Sequence, residues 1–195
     1  RLTNKGRLNV GADADIVIFD PVTVKDNDGN FDFADVVKTF AIVEKAIAEH
    51  PQAKAVLVNN PTYYGICSDL KRIVEIAHAR GMKVLVDEAH GIGVLGKQGR
   101  GTCDHFGVLD KVDIVMGTFS KSLASIGGFI ASDTETINWM KHNSRSYIFS
   151  ASISPASTAA AMAAFDIMVS EPWHQENLWK VTKENLYNSS SPQEF

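Results

Sequence analysis

Apolar positions follow two periods along the chain. AKAVLVNN at 53–60, KVLVDE at 83–88, VDIVMGT at 112–118 and GGFIAS at 127–132 are short apolar runs bounded by polar or glycine-containing breaks, and each predicts a strand. Between them the spacing widens. Val36, Phe40, Val43 and Ile47 recur at helical intervals up to His50-Pro51, and Leu70, Ile73, Val74 and Ala77 form the inner face of a second helix. Ser68 or Asp69 is its N-cap and Gly81 its stop. Further helices are predicted over 133–143, 155–170 and 172–186. Strands separated by helices imply an α/β fold, a mostly parallel sheet with helices on both faces.

The two ends of the chain read differently. RLNVGADADIVIFD at 7–20 is a turn followed by a strand, Ile16 to Phe19, closed by Asp20-Pro21, and the polar KDNDGN break comes next. This divides the chain into an opening β-segment, 1–30, a main unit, 31–187, and a flexible tail, 188–195, ending NSSSPQEF. The most apolar stretch, Ala156 to Val169, is broken by Asp166 and too short to span a bilayer, so it predicts a buried helix and no membrane span.

At 195 residues, with 45% hydrophobic and 22% charged positions, the chain has enough apolar material for one core. Its formal charge of −4 and lack of a basic run argue against a nucleic-acid or anionic-membrane surface. The N-terminus lacks the basic and then apolar pattern of a secretory signal, so a cytoplasmic location is expected. Cys67 and Cys103 have neither CxxC spacing nor a histidine cluster, and read as reduced structural thiols with no metal site. Asn188-Ser-Ser is discounted as a glycosylation site for want of a secretion signal.

The chemistry concentrates in DEAHGIGVLG at 87–96 and GTFSKSLASIGG at 117–128. Asp87 ends an apolar strand, where a carboxylate is costly to bury without a cationic partner. Lys121 follows the next strand. A carboxylate and an amine at neighbouring strand ends suit pyridoxal phosphate, which needs an amine to hold its aldehyde and an acid against its pyridine nitrogen. The glycines of GIGVLGKQGRG have the wrong spacing and context for a dinucleotide fingerprint.

Residues 87–186 closely resemble the α-oxoamine synthases, fold-type-I pyridoxal-phosphate enzymes, through DEAHGIGVLG, GKQGRGTCDHFG, GTFSKSLASIGGFIAS and IFSASISPAS in that order. The resemblance implies a partial fold-type-I transferase large domain. It implies condensation of an amino acid with an acyl-CoA through Lys121, pyridoxal 5′-phosphate as cofactor, and a homodimer. It places Asp87 at the ring nitrogen, Ala89 against one ring face and His90 at the 3′-oxygen. It also gives the cofactor phosphate to Thr118 and Ser120, with Ser150 reaching a neighbouring subunit's phosphate. Each position also has a plainer reading: a capping aspartate, a filler alanine, a structural histidine, a surface lysine, and hydroxyls that cap strand ends.

Two other stretches resemble other families. NNPTYYGICSDLKRIVEIAHARGMKVLVDEAHG looks like the ornithine/lysine/arginine decarboxylases, which share the fold and cofactor, and KGRLNVGADADIVIFDPVTV like the C-terminal β-segment of amidohydrolases, whose metal site is not carried over. The lysine motif GTFSK favours the synthase reaction. A decarboxylase and a chimeric or truncated fragment without activity remain the alternatives. Thr62 and Tyr64 either contact the cofactor or merely shape a turn. The family's ring-stacking residue and carboxylate-gripping arginine are unassigned, and neither Arg100 nor Arg145 is placed in that role.

Overall fold

A computed structural model of the chain describes residues 16–19, 44–63 and 65–189. The described strands form one five-stranded sheet in chain order: β1 (Ile16–Phe19), β2 (Ala55–Asn59), β3 (Lys83–Asp87), β4 (Ile114–Thr118) and β5 (Gly128–Ala131). β1 to β4 run parallel. β1, read from sequence within the opening segment, is hydrogen-bonded along β2 in this same sheet. Residues 1–15 and 20–30 of that segment lie outside the described residues, as do Val36, Phe40 and Val43 of the first predicted helix.

β5 departs from the parallel pattern, pairing antiparallel with β4 from Thr118↔Gly128 to Val115↔Ala131. The connection over 119–127 is too short for a crossover, which needs a dozen or more residues, so the chain turns back on itself. That hairpin carries Lys121, which is therefore set in a tight turn and not at the start of a helix.

Alternation within the strands decides which face is the core. Val56, Val58, Val84 and Val86 are buried, the last two completely, while Ala55, Leu57, Asn59, Leu85 and Asp87 are only half-buried. Ile47 of helix α1 (44–49) packs on the buried face, together with Leu70, Ile73, Val74 and Ala77 of α2 (Leu70–His78) and Cys103 of α3 (Thr102–His105). Of the two cap candidates Asp69 serves, its carboxylate accepting the Arg72 N–H at 3.1 Å; the Ser68 N–H instead donates to Asn60 Oδ1 at 2.7 Å. Gly81 stops the turn with a φ of 68°, a left-handed conformation that glycine adopts without a Cβ penalty.

The remaining helices are α4 (Thr134–Asn143), α5 (Arg145–Ile148), α6 (Pro155–Ser170) and α7 (Trp173–Ser189). The expectation of a buried helix at 156–169 is corrected in one respect. The segment is helical, but only Ala161 of α6 is buried, and Met162 and Phe165 are 64% and 51% exposed. The reason is position: α6 does not lie over the valine core but docks at the sheet's margin, where Gln98 Nε2 donates to the Val169 carbonyl at 3.1 Å. α7 braces the same loop, with Gln175 Nε2 and Trp179 Nε1 each donating to the Val94 carbonyl at 2.8 Å. α7 continues into the region read as a tail; residues 190–195 lie outside the described residues. Among the described residues, no helix is long and apolar enough to cross a membrane.

Candidate active site

The register of the parallel strands sets Asn59 beside Asp87, at the carboxyl ends of β2 and β3, with Asp87 beside Met116 of β4. This is where open α/β sheets place their ligands, because the connecting loops splay apart there. Asp87 Oδ2 accepts from Asn59 Nδ2 at 3.1 Å and Oδ1 accepts from the Ala89 N–H at 2.9 Å. Both oxygens are thus oriented by neutral donors, and among the described residues no cation pairs directly with the carboxylate. Ala89 contributes its backbone here.

Glu88, the next residue, points the opposite way and is fully buried. Its Oε2 accepts the Thr102 N–H at 2.8 Å and its Oε1 the Cys103 N–H at 2.7 Å, so it caps the first turn of α3 from across the loop. A Cβ on Gly101, whose φ is 96°, would come within 2.6 Å of the Glu88 carboxyl carbon. Only glycine lets this loop close over the carboxylate. Burial, followed by the charge and hydrogen bonding of Glu88, pushes the Cys103 thiol far above its ordinary value, and burial then Glu88 raise Cys67 as well. Both cysteines are free thiols, as expected of structural ones. Glu88 was given no role from sequence; the signal was an acid between an apolar strand and two glycines, Gly91 and Gly101.

The lysine turn is pinned on both sides. Phe119 stacks on Phe129 with ring centroids 5.7 Å apart, and Leu123 is buried, so the two apolar anchors leave Lys121 exposed between them. The Ala124 N–H donates to the Lys121 carbonyl at 3.0 Å and the Ser125 N–H to that of Phe119 at 2.7 Å, closing the turn. Ser122 Oγ donates to the Ile92 carbonyl at 2.8 Å, which ties the lysine turn to the loop that follows Asp87. Thr118 and Ser120 bring their hydroxyl oxygens within 2.7 Å of each other at the end of β4, and the Ser120 N–H donates to Thr118 Oγ1 at 3.2 Å.

His90 lies in the field of both catalytic candidates. Burial lowers its pKa, the Lys121 ammonium lowers it further, and Asp87 partly opposes the two, with a net fall below the ordinary histidine value. The ring is therefore neutral at pH 7, with one nitrogen free to donate and the other to accept. Asp87 and Lys121, separated in sequence, both lie within electrostatic reach of His90. Tyr63 presents its ring edge-on to His90 at 5.5 Å between centroids, an aromatic neighbour that the sequence reading passed over in favour of Thr62 and Tyr64.

Other expected residues fall elsewhere. Thr62 is buried and serves the turn, its Oγ1 accepting the Ile66 N–H at 3.2 Å, and Tyr64 lies outside the described residues. Ser150 is exposed in the segment between α5 and α6, and Arg100 and Arg145 are exposed. The residues fit the expected cofactor in kind: a carboxylate oriented by neutral donors, an exposed amine, an imidazole held below its ordinary pKa and a pair of hydroxyls at a strand end.

The profile of the aminotransferase class I and II family matches residues 16–184, and the chain belongs to that family. Among curated relatives, the serine palmitoyltransferase of Bacteroides ovatus is 58% identical over 118 residues, 60% of this chain and 30% of that protein. A putative 8-amino-7-oxononanoate synthase 2 of Mycobacterium tuberculosis is 49% identical over 108 residues, 55% of this chain and 14% of that one. Among solved structures, Sphingomonas wittichii serine palmitoyltransferase superposes with a TM-score of 0.67 at 31% identity, over 72% of this chain and 36% of its own. An S. paucimobilis serine palmitoyltransferase variant bound to PLP–myriocin gives the same score at 32% identity, over 72% and 36%. The chain thus spans about a third or less of the length of these relatives.

Proposed function

We propose that this chain carries the lysine-bearing part of a pyridoxal-phosphate-dependent α-oxoamine synthase site, which condenses an amino acid with an acyl-CoA. The observation that carries the reading is the convergence of Lys121, His90 and Asp87 at adjoining strand ends, in a chain 58% identical to a serine palmitoyltransferase over 118 residues.

Pyridoxal phosphate, when bound, supplies an aldehyde for an amine and an electron-poor ring that accepts the electrons of a substrate carbanion. Lys121 would hold the aldehyde through Nζ and would be placed to take and return a proton beside it. Asp87 supplies the negative charge for a protonated ring nitrogen. His90, kept neutral by burial and by Lys121, donates to the ring oxygen without adding a second positive charge. Thr118 and Ser120 turn their hydroxyls from each other to the phosphate. Ala89 packs against the ring, Ser150 reaches the phosphate of a second copy in a homodimer, and the setting is cytoplasmic.

Titration of the chain with pyridoxal phosphate tests this directly. An absorbance band near the visible edge is expected, with borohydride fixing the cofactor to the peptide containing Lys121, and Lys121→Ala is expected to abolish the band completely. An unchanged band in that variant refutes the assignment. Release of carbon dioxide from lysine or ornithine without acyl-CoA refutes the condensation.

A further inference from the structure

We propose that Asn59 is a positioning residue for Asp87: its amide N–H holds the carboxylate in the orientation that keeps a bound heteroaromatic cation protonated. The inference rests on the cofactor reading above and deepens it.

Asn59 closes β2 and is the direct cross-strand neighbour of Asp87, so the contact is set by sheet register and not by a mobile loop. Its Nδ2 donates to Asp87 Oδ2 at 3.1 Å, while the other carboxylate oxygen is held by the Ala89 N–H at 2.9 Å. One donor on each oxygen fixes the plane of the carboxylate and leaves further lone pairs open to a ligand. The amide itself can face only one way. Its Oδ1 is buried and, among the described residues, has no hydrogen-bond partner; a flipped amide would bury an unpaired Nδ2 there instead and set two oxygens against each other. The negative charge on Asp87 thus selects the orientation, and buried polar atoms left unpaired in this way concentrate where function demands them.

The chemical consequence follows from the direction of donation. A hydrogen bond to the ionised form of a carboxylate stabilises that form. Without the Asn59 N–H, one oxygen of Asp87 loses its donor and the carboxylate is free to turn away from the ring nitrogen. The ring then loses part of the positive charge that makes it an electron sink.

Two variants of the full chain separate this role from simple packing. Asn59→Leu keeps the volume and removes the donor; Asn59→Asp sets a second acid beside Asp87 and regains a donor only when one of the two carboxyls is protonated. With pyridoxal phosphate labelled with ¹⁵N in the ring, the pyridine nitrogen of the parent should resonate as protonated, and that of Asn59→Leu should move toward the neutral position. Cofactor affinity in Asn59→Leu should fall by about tenfold, the worth of one charge-assisted hydrogen bond. As the pH is lowered from 8 to 5, affinity of Asn59→Asp relative to Asn59→Leu should rise; the ratio cancels the titrations of His90, Lys121 and the cofactor that both variants share.

A parent chain that shows no cofactor band overturns the cofactor reading and this inference with it. A parent that binds, with the ring nitrogen unmoved in Asn59→Leu, overturns only the role of Asn59. So does a pH-independent ratio between the variants. Should Asn59→Leu fail to fold, as read from its melting curve, the neutral Asn59→Ala takes its place in the nitrogen measurement, and an unmoved signal there rejects the proposal.

Discussion

Two aspartates at opposite ends of the same sheet have been given opposite surroundings. Asp113, just before β4 at the amino end, is saturated: its Oδ1 accepts from Lys83 Nζ at 2.7 Å, and its Oδ2 contacts His78 Nε2 and accepts the Val84 N–H, each at 2.8 Å. Asp87, at the carboxyl end of β3, has among the described residues only an amide and a backbone N–H as hydrogen-bond partners. A carboxylate that has spent its charge on its own fold is a fastener; one whose charge is still uncompensated is available to a ligand. Residue type alone does not distinguish them. The census of partners does.

The sharpest way to break this comparison is to remove each charge in turn. Asp87→Asn should weaken pyridoxal-phosphate binding by about 100-fold, since breaking a desolvated ion pair costs several kcal/mol. It should leave unfolding free energy within about 0.5 kcal/mol of the parent, because a flipped Asn59 amide can accept from the new side chain. Cofactor titration and urea melts on the same sample read both quantities. Equal losses in both would show that Asp87 is a structural residue after all.

Asp113→Asn should do the reverse. Its loss leaves the Val84 N–H and His78 poorly paired, and urea denaturation should show a loss of about 1–2 kcal/mol. The largely exposed Lys83 adds little to this. Cofactor affinity should stay within about twofold of the parent, as expected for a site at the far end of the strands.

The smallest effect is the pH dependence of that stability. Burial pushes the Asp113 carboxyl up, but hydrogen bonds from Lys83, the Val84 N–H and His78 together outweigh it, and the net shift is down. A folded pKa below the unfolded one means that the contribution is complete above the unfolded value, about 3.9, and fades as the pH falls through the folded value. The stability gap between the parent and Asp113→Asn should therefore be constant from pH 7 to 5 and close below about pH 4. A gap that persists at pH 2.5 would assign the effect to shape and not charge.

Much of this was legible in the chain itself. The apolar runs at 53–60, 83–88, 112–118 and 127–132 each contain an observed strand, and the helical spacing around Leu70 to Ala77 became α2 with its inner face buried. Of the motif residues, the charges of Asp87 and Lys121 both reach His90. Three things were not legible. The turn-back of β5 depended on the length of a connection whose apolar run looks like that of any other strand. The exposure of α6 depended on where the helix docks, since an apolar composition states only that a surface is available for packing. Glu88 looked like the end of a strand, because nothing local reveals that its partners are the backbone groups of Thr102 and Cys103.

By itself, the sequence determined the local periods, the caps and stops, and the kinds of functional group on offer, because each of these depends on residues a few positions apart. The tertiary structure alone decided that Asn59 would meet Asp87, that Glu88 would turn inward while Asp87 turned toward the site, and that Asp113 would be saturated. These are contacts across strand registers and closed loops. Shifting one strand by a single residue exchanges its two faces, so partners of this kind emerge only when the whole sheet is assembled.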